Sequence, residues 1–389
     1  MHDIFASPAG VPCSRLQSRY GIWSQSVVAC PWGAGTGLFY KVMGIVMKKL
    51  ALLATALTIV SGSALAADMA VKAVKAPPPV AFEPWDIAFG SALMSDYIFR
   101  GVTQSNHKPS VAAYFEPRYN VTKDVQLYIG AAGESISFAN RAAAEIDIYG
   151  GIRPTVGMFA FDFGVWGYLY PGGTCYNAAA FPGSGIPGSE LGCVQNADAL
   201  TGALPINGNV AKKSASFYEG YAKVNITLND QFQIGANEYY SPNFLNLGAW
   251  GNYASITGKW TAPSTTFGAS GVGMYISGEF GRQWLGTSDR FYGTGLINPA
   301  FAAGIPEPSY NTWNIGIGFT YKVFTLDLRY SDTNLSKGAC NAFTSDFTAK
   351  TATLGSVSAI NPLGFESNWC GATGIAKLSA DLTAITNLK

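Results

Sequence analysis

Two histidines in 389 residues, His2 and His107, are all the chain offers for imidazole chemistry. A Ser-His-Asp or Cys-His nucleophile would have to use His107. That residue sits in Ser105-Asn106-His107-Lys108-Pro109, a turn-rich connection predicted to be external. No Cys-x-x-Cys or His-x-x-x-His spacing is present to hold a metal. The glycine-rich Gly33-Ala34-Gly35-Thr36-Gly37 lacks the preceding strand and the following Lys-Ser/Thr of a phosphate loop, so no cofactor is predicted. Charge is scarce too: 13% of residues are Asp, Glu, Lys or Arg, about half the share of an ordinary soluble domain. A net charge of +1 removes the basic footprint of a nucleic-acid binder. These absences argue against an enzyme.

Long apolar runs are missing as well. The one sustained stretch, residues 50–60, is too short for a helical span, which needs about 20 residues. It follows Met47-Lys48-Lys49 and precedes Ser61-Gly62-Ser63-Ala64-Leu65-Ala66-Ala67. A basic start, a short apolar middle and a small-x-small end form a secretory signal over 47–66, with cleavage after Ala66. Residues 1–46 then read as an extension ahead of a misassigned start, and 67–84, with Pro77-Pro78-Pro79, as an extended linker. The exported remainder carries 20 basic against 23 acidic residues, a net charge of −3. It keeps Cys175, Cys193, Cys340 and Cys370, an even count that predicts two disulfides in an exported chain. Three pairings are open, and proximity favours Cys175–Cys193 with Cys340–Cys370.

What the chain has in quantity is glycine, 45 residues, and aromatics, 13%. From Trp85 onward it alternates with period two. Trp85, Ile87, Phe89 and Leu93 oppose Asp86, Ala88, Gly90 and Met94, and Phe324, Leu326, Leu328 and Tyr330 oppose Thr325, Asp327, Arg329 and Ser331. Such alternation marks strands with one apolar and one polar face. About twelve are predicted: 86–101, 109–121, 125–137, 143–153, 158–170, 214–228, 231–241, 252–261, 271–285, 310–321, 324–332 and 373–385. Many reach the roughly 9–11 residues that a tilted transmembrane strand requires. The connections after even strands are short and the long ones all follow odd strands, as in an even antiparallel barrel with short periplasmic turns and long external loops. The fold class is therefore an all-β transmembrane barrel over 85–389. Outer-membrane lipid and lipopolysaccharide would surround it, and its oligomeric state is left open.

Ser95-Asp96-Tyr97-Ile98-Phe99-Arg100-Gly101-Val102-Thr103-Gln104-Ser105 resembles the Ser-Asp-Tyr-x-Phe-Arg-Gly-x-Ser-Gln signature of the TorF family of porins. The stretch 324–336 with Cys340, Cys370 and Gly371 is similar to that family's closing region. The resemblance implies a Gram-negative outer-membrane barrel with pore activity.

The polar face is then the candidate site. Alternation assigns to it Asp86, Asp96, Arg100, Glu145, Asp147, Arg153, Asp162, Glu219, Lys223, Lys259, Glu279, Asp327, Arg329, Lys377 and Asp381. Mixed signs on one wall would filter small hydrophilic solutes or ions by charge. Glu145 and Asp147 also have the same-face spacing of a glycosidase acid and base, with Arg153 on the same face to balance them instead. The alternative to a diffusion pore is a closed barrel whose long loops bind a surface partner.

Overall fold

The computed structural model describes residues 82–177, 210–293 and 299–388. Twelve antiparallel strands close on themselves: β1 (Trp85–Met94), β2 (Ser110–Thr122), β3 (Val125–Glu134), β4 (Glu145–Val156), β5 (Phe159–Leu169), β6 (Phe217–Thr227), β7 (Phe232–Ser241), β8 (Gly251–Thr261), β9 (Val272–Leu285), β10 (Tyr310–Tyr321), β11 (Phe324–Thr333) and β12 (Thr373–Thr383). Each pairs with its neighbour in sequence, and β1 also pairs with β12, Ala88 opposite Thr383 and Met94 opposite Lys377. Closure leaves no strand edge, the condition for backbone amides to survive in hydrocarbon.

The alternation read from the sequence decides which way each face points. Ile87, Leu93, Val111, Phe115, Ile129, Ile148, Val165, Ile256, Phe280, Ile315 and Leu328 are exposed on the outer wall. Their in-between neighbours are buried or half-buried in the lumen. An apolar outer band on strands of 10 to 14 residues makes this a transmembrane barrel. Two-residue turns at 123–124, 157–158 and 322–323 mark one end, with Gly157 and Lys322 at φ 59° and 53°. The longer connections, after β1, β3, β5, β7, β9 and β11, all depart from and return to the strand ends on the other side, so the predicted parity holds.

The first strand does not. It was expected to run to residue 101, but β1 stops at Met94. A positive φ at both Arg100 (48°) and Gly101 (79°) breaks the extended path and folds the chain back. The connection 95–109 is therefore not wholly an external loop: His107, Lys108 and Pro109 are exposed as expected, but residues 101–105 are buried. It enters the lumen as a small ribbon, Ile98–Phe99 paired with Val102–Thr103.

Cys340, in helix α1 (Lys337–Thr344), is disulfide-bonded to Cys370, as proximity favoured. Cys175 is disulfide-bonded too, while Cys193, residues 1–66 and most of the linker lie outside the described residues.

Glycines on the inner wall leave room for rings. A Cβ on Gly130 would sit 2.3 Å from the Tyr149 ring, which also stacks on Trp166 at 3.9 Å. Gly130→Leu must displace that stack, at a cost of about 1–3 kcal/mol for overpacking. Urea unfolding in detergent should show a lowered midpoint with the strand content unchanged.

Candidate functional site

The ribbon is organised around Asp96. Its Oδ1 accepts from Thr103 Oγ1 at 2.6 Å and from Ser105 Oγ at 2.9 Å, and its Oδ2 faces His107 Nδ1 at 2.7 Å. His107 Nε2 lies 2.7 Å from the Asn368 carbonyl oxygen. Both ring nitrogens thus face acceptors, and only the imidazolium can donate to both. The bond to Asp96 raises His107 above its usual 6.5 despite burial. Burial pushes the Asp96 carboxyl up, but the bonds from His107, Thr103 and Ser105 outweigh it and hold it below 3.8. With Nε2 committed to a carbonyl, His107 is placed as a tether and not as a general base.

Arg100, at the ribbon's tip, crosses the lumen. Its guanidinium donates two parallel bonds to Glu219 on β6, at 2.8 and 2.7 Å, and one to Gln283 on β9 at 3.0 Å. Its side chain is 5% exposed and that of Glu219 is 0% exposed. The rings of Tyr253, Phe99 and Tyr239 lie 4.4, 4.6 and 4.9 Å from the guanidinium carbon. Charge-assisted bidentate pairing with aromatic faces is what a buried guanidinium requires to offset its lost hydration. A segment that leaves the wall between β1 and β2 is in this way anchored to β6 and β9, far round the barrel from its root.

The loop 334–372 seals the ribbon from above. Thr103 N donates to the Trp369 carbonyl at 2.9 Å, and Trp369 Nε1 donates to Asn106 Oδ1 at 2.8 Å. Val102 forms a β-bridge with Cys370. Behind them Phe217, Phe244, Tyr310, Phe343 and Trp369 form an apolar core across the long-loop end.

Below the ribbon the lumen is polar. Glu116 accepts from Arg118 Nε at 2.6 Å and from Arg153 at 2.7 Å, and Arg153 also pairs with Asp162 at 3.3 Å and lies over Tyr128. Asp86 pairs more loosely with Arg118 at 3.8 Å. Arg329 bonds Asp327 at 3.0 Å, Asn314 at 2.5 Å and Ser277 at 2.8 Å. Glu279 accepts from Tyr253 at 2.9 Å, and Asp381 from Tyr114 at 3.1 Å. Lys223 and Lys259 rest against the rings of Tyr221 and Tyr275. Lys377 stands opposite Asp327 in the β11–β12 register. A cavity of about 280 Å³ lies under the ribbon, lined by Arg100, Tyr239, Tyr253, Glu279, Asn314 and Arg329 among others.

The sequence-predicted polar residues therefore share the inner face, thirteen from strands and Asp96 and Arg100 from the ribbon instead of from a lengthened β1. One assignment is corrected. Arg153 does not balance Glu145 and Asp147, because Glu116 and Asp162 occupy it. Glu116, Arg118, Glu134 and Gln283 were missed. The first two were legible, since Tyr114, Glu116, Arg118 and Asn120 alternate with Val111, Ala113, Phe115, Tyr119 and Val121.

Comparison with known proteins finds a match over residues 80–182 to a family described as a bacterial protein of unknown function (Gcw_chp). That stretch contains the 95–105 motif. No curated protein matches. Among solved structures, the chain is similar to an outer membrane channel from Pseudomonas putida F1, with 10% identity, a TM-score of 0.39, and 79% of this chain and 98% of that one covered. A Pseudomonas aeruginosa FadL homologue shows 12% identity and a TM-score of 0.36, covering 76% and 89%. LpxR from Salmonella typhimurium shows 8% and 0.34, covering 76% and 99%.

The tether sets a pH window. The raised His107 contributes stability that is complete below its unfolded value of about 6.5 and is lost as pH rises through its folded value. The lowered Asp96 contributes above about 3.8 and is lost as pH falls through its folded value. An NMR titration of the His107 ring should give a midpoint above 6.5, falling to or below 6.5 in Asp96→Asn.

Proposed function

We propose that the protein is an outer-membrane channel for small hydrophilic solutes or ions, in which the ribbon 95–109 forms the constriction. The observation that carries this reading is the Arg100–Glu219 clamp across the lumen, directly above a polar cavity of about 280 Å³. A barrel with only a structural role has no need of a chamber of this size lined by Arg329, Glu279 and Asn314. Paired charges of both signs on the wall order water and favour small polar solutes over bulky or apolar ones. The ribbon narrows the way to the long-loop end, since Arg100 spans the lumen to Glu219 and Gln283, and a shift of the ribbon would widen it. The axial path then runs past Asp86, Arg153, Asp162, Lys223, Lys259, Asp327, Arg329, Lys377 and Asp381, whose placement on the inner wall supports their role in lining the pore.

A second reading has its own support. Loop 334–372 is stapled by Cys340–Cys370, and Leu354 at its tip is 93% exposed. A closed barrel presenting that loop to a surface partner would use it as an anchor.

Single-channel recording in planar bilayers separates the two. Arg100→Ala alone strands Glu219 as a buried unpaired charge, at about 3–5 kcal/mol, so Arg100→Ala/Glu219→Gln is the cleaner variant. Channel function predicts small or infrequent steps for the native protein and a several-fold larger conductance for the double variant. Silence from both folded proteins would leave the partner-binding barrel.

A further inference from the structure

The lumen carboxylates are matched with donors or cations at nearly every point, which makes one place stand out. Glu134 at the end of β3 and Glu145 at the start of β4 are directly opposed across the ladder, and Asp147 is two residues along the same face. Like charges set opposite each other in a sheet are destabilising. One carboxylate oxygen from each of the three lies within 4.8 Å of those from the other two. Elsewhere an arginine or histidine answers such a group: Glu116 has Arg118 and Arg153, Glu219 has Arg100, Asp327 has Arg329, and Asp96 has His107. Among the described residues, no basic side chain comes within ion-pair distance of Glu134, Glu145 or Asp147. Lys377 attracts Glu134 only from beyond that range.

A second observation is independent of the clustering. Asp147 is 3% exposed, and although the Trp166 indole N–H interacts with its carboxyl, Oδ1 makes no hydrogen bond of proper geometry; Glu134 Oε2 is likewise buried without one. A buried carboxylate oxygen without a donor is unfavourable unless something fills its lone pairs. Glu145 differs, accepting from the hydroxyls of Tyr97 at 2.8 Å and Tyr170 at 3.1 Å, which fix its orientation. Glu145 is thus held in place, while the two carboxyl groups beside it each keep a buried oxygen without a formed hydrogen bond.

We infer that Glu134, Glu145 and Asp147 bind a divalent cation, with calcium the best fit. Calcium–oxygen bonds of about 2.3–2.6 Å put two oxygens on one ion at most about 5 Å apart, and the three carboxylates already satisfy that limit. An all-carboxylate set without nitrogen or sulfur selects a hard cation over zinc or copper. Magnesium, which holds its water shell and demands a regular octahedron, suits two nearly fully buried ligands less well. The ion would also act on the ribbon, because Tyr97 belongs to it and Tyr170 opens the loop after β5. Filling the site joins β3, β4, the ribbon and that loop around one charge centre. This inference does not depend on the channel reading, since a closed barrel would use the same staple.

Terbium replaces calcium at oxygen sites and emits when nearby aromatic rings are excited, and Tyr97 and Tyr170 are bonded to Glu145 itself. The full chain, folded in a non-ionic detergent without lipopolysaccharide, should give sensitised emission that saturates at one terbium per barrel. Calcium should displace the ion, and magnesium should do so far less well. Asp147→Asn and Glu134→Gln should each weaken terbium binding by at least about tenfold, a fold-change of the size seen when metal-site partners are removed. Both variants lose a repulsive charge and remain folded, which heat-modifiability on gels checks. In the native protein, calcium should raise the unfolding midpoint, and in Asp147→Asn it should not. Absence of a saturable signal from the folded native protein would overturn the site. So would emission and calcium stabilisation that persist unchanged in Glu134→Gln/Asp147→Asn.

Discussion

A backbone amide in hydrocarbon has no water to bond, and from that constraint the rest of the molecule follows. The twelve strands must close, and closure divides every strand into an outer apolar face and an inner one. The outer face needs only bulk, which Ile87, Val165 and Ile256 supply. The inner face is enclosed but not apolar, so most charges on it are answered inside the barrel, the acidic group Glu134, Glu145 and Asp147 excepted. Arg100 with Glu219, Arg153 with Glu116 and Asp162, and Arg329 with Asp327 are those answers.

The same logic explains why the ribbon lies in the lumen. A barrel this size leaves an interior too wide for wall side chains alone to fill, yet narrower than a large open porin. A short segment with Arg100 at its tip fills the gap and supplies the cation that Glu219 lacks on its own wall. The aromatic rings around the guanidinium, Phe99, Tyr239 and Tyr253, let it sit away from water. Asp96 does the corresponding work at the ribbon's base, using Thr103, Ser105 and His107. The ribbon is thus held at both ends by charge-assisted bonds, and a change that weakens either end loosens it.

The strands were legible because their signal is local. Val125, Leu127 and Ile129 against Gln126 and Tyr128 announce both a strand and its faces, and loop parity then announces a barrel. The ribbon was not legible for a related reason. Asp96 and Arg100 continue the alternation of β1, so the pattern runs on where the backbone turns at Arg100 and Gly101. The partners that reward the turn, Glu219 and Gln283, are 119 and 183 residues away. Alternation gave the inner wall correctly but could not pair its charges, which is why Arg153 was set against Glu145 and Asp147 and not against Glu116. His107 is exposed, as expected of a loop residue, but its tethering was not legible because Asn368, its second acceptor, lies 261 residues on.

The central claim is that Arg100 holds residues 95–109 within the lumen, and hydrogen exchange reads it directly. The amides of Tyr97, Thr103 and Gln104 donate to Ser105 Oγ, the Trp369 carbonyl and the Tyr97 carbonyl. In the native protein they should exchange as slowly as those of the barrel strands. In Arg100→Ala/Glu219→Gln they should exchange far faster, with β3 and β4 unchanged. Native amides at 97, 103 and 104 that exchange at the rate of the exposed loop around Leu354 would contradict the account.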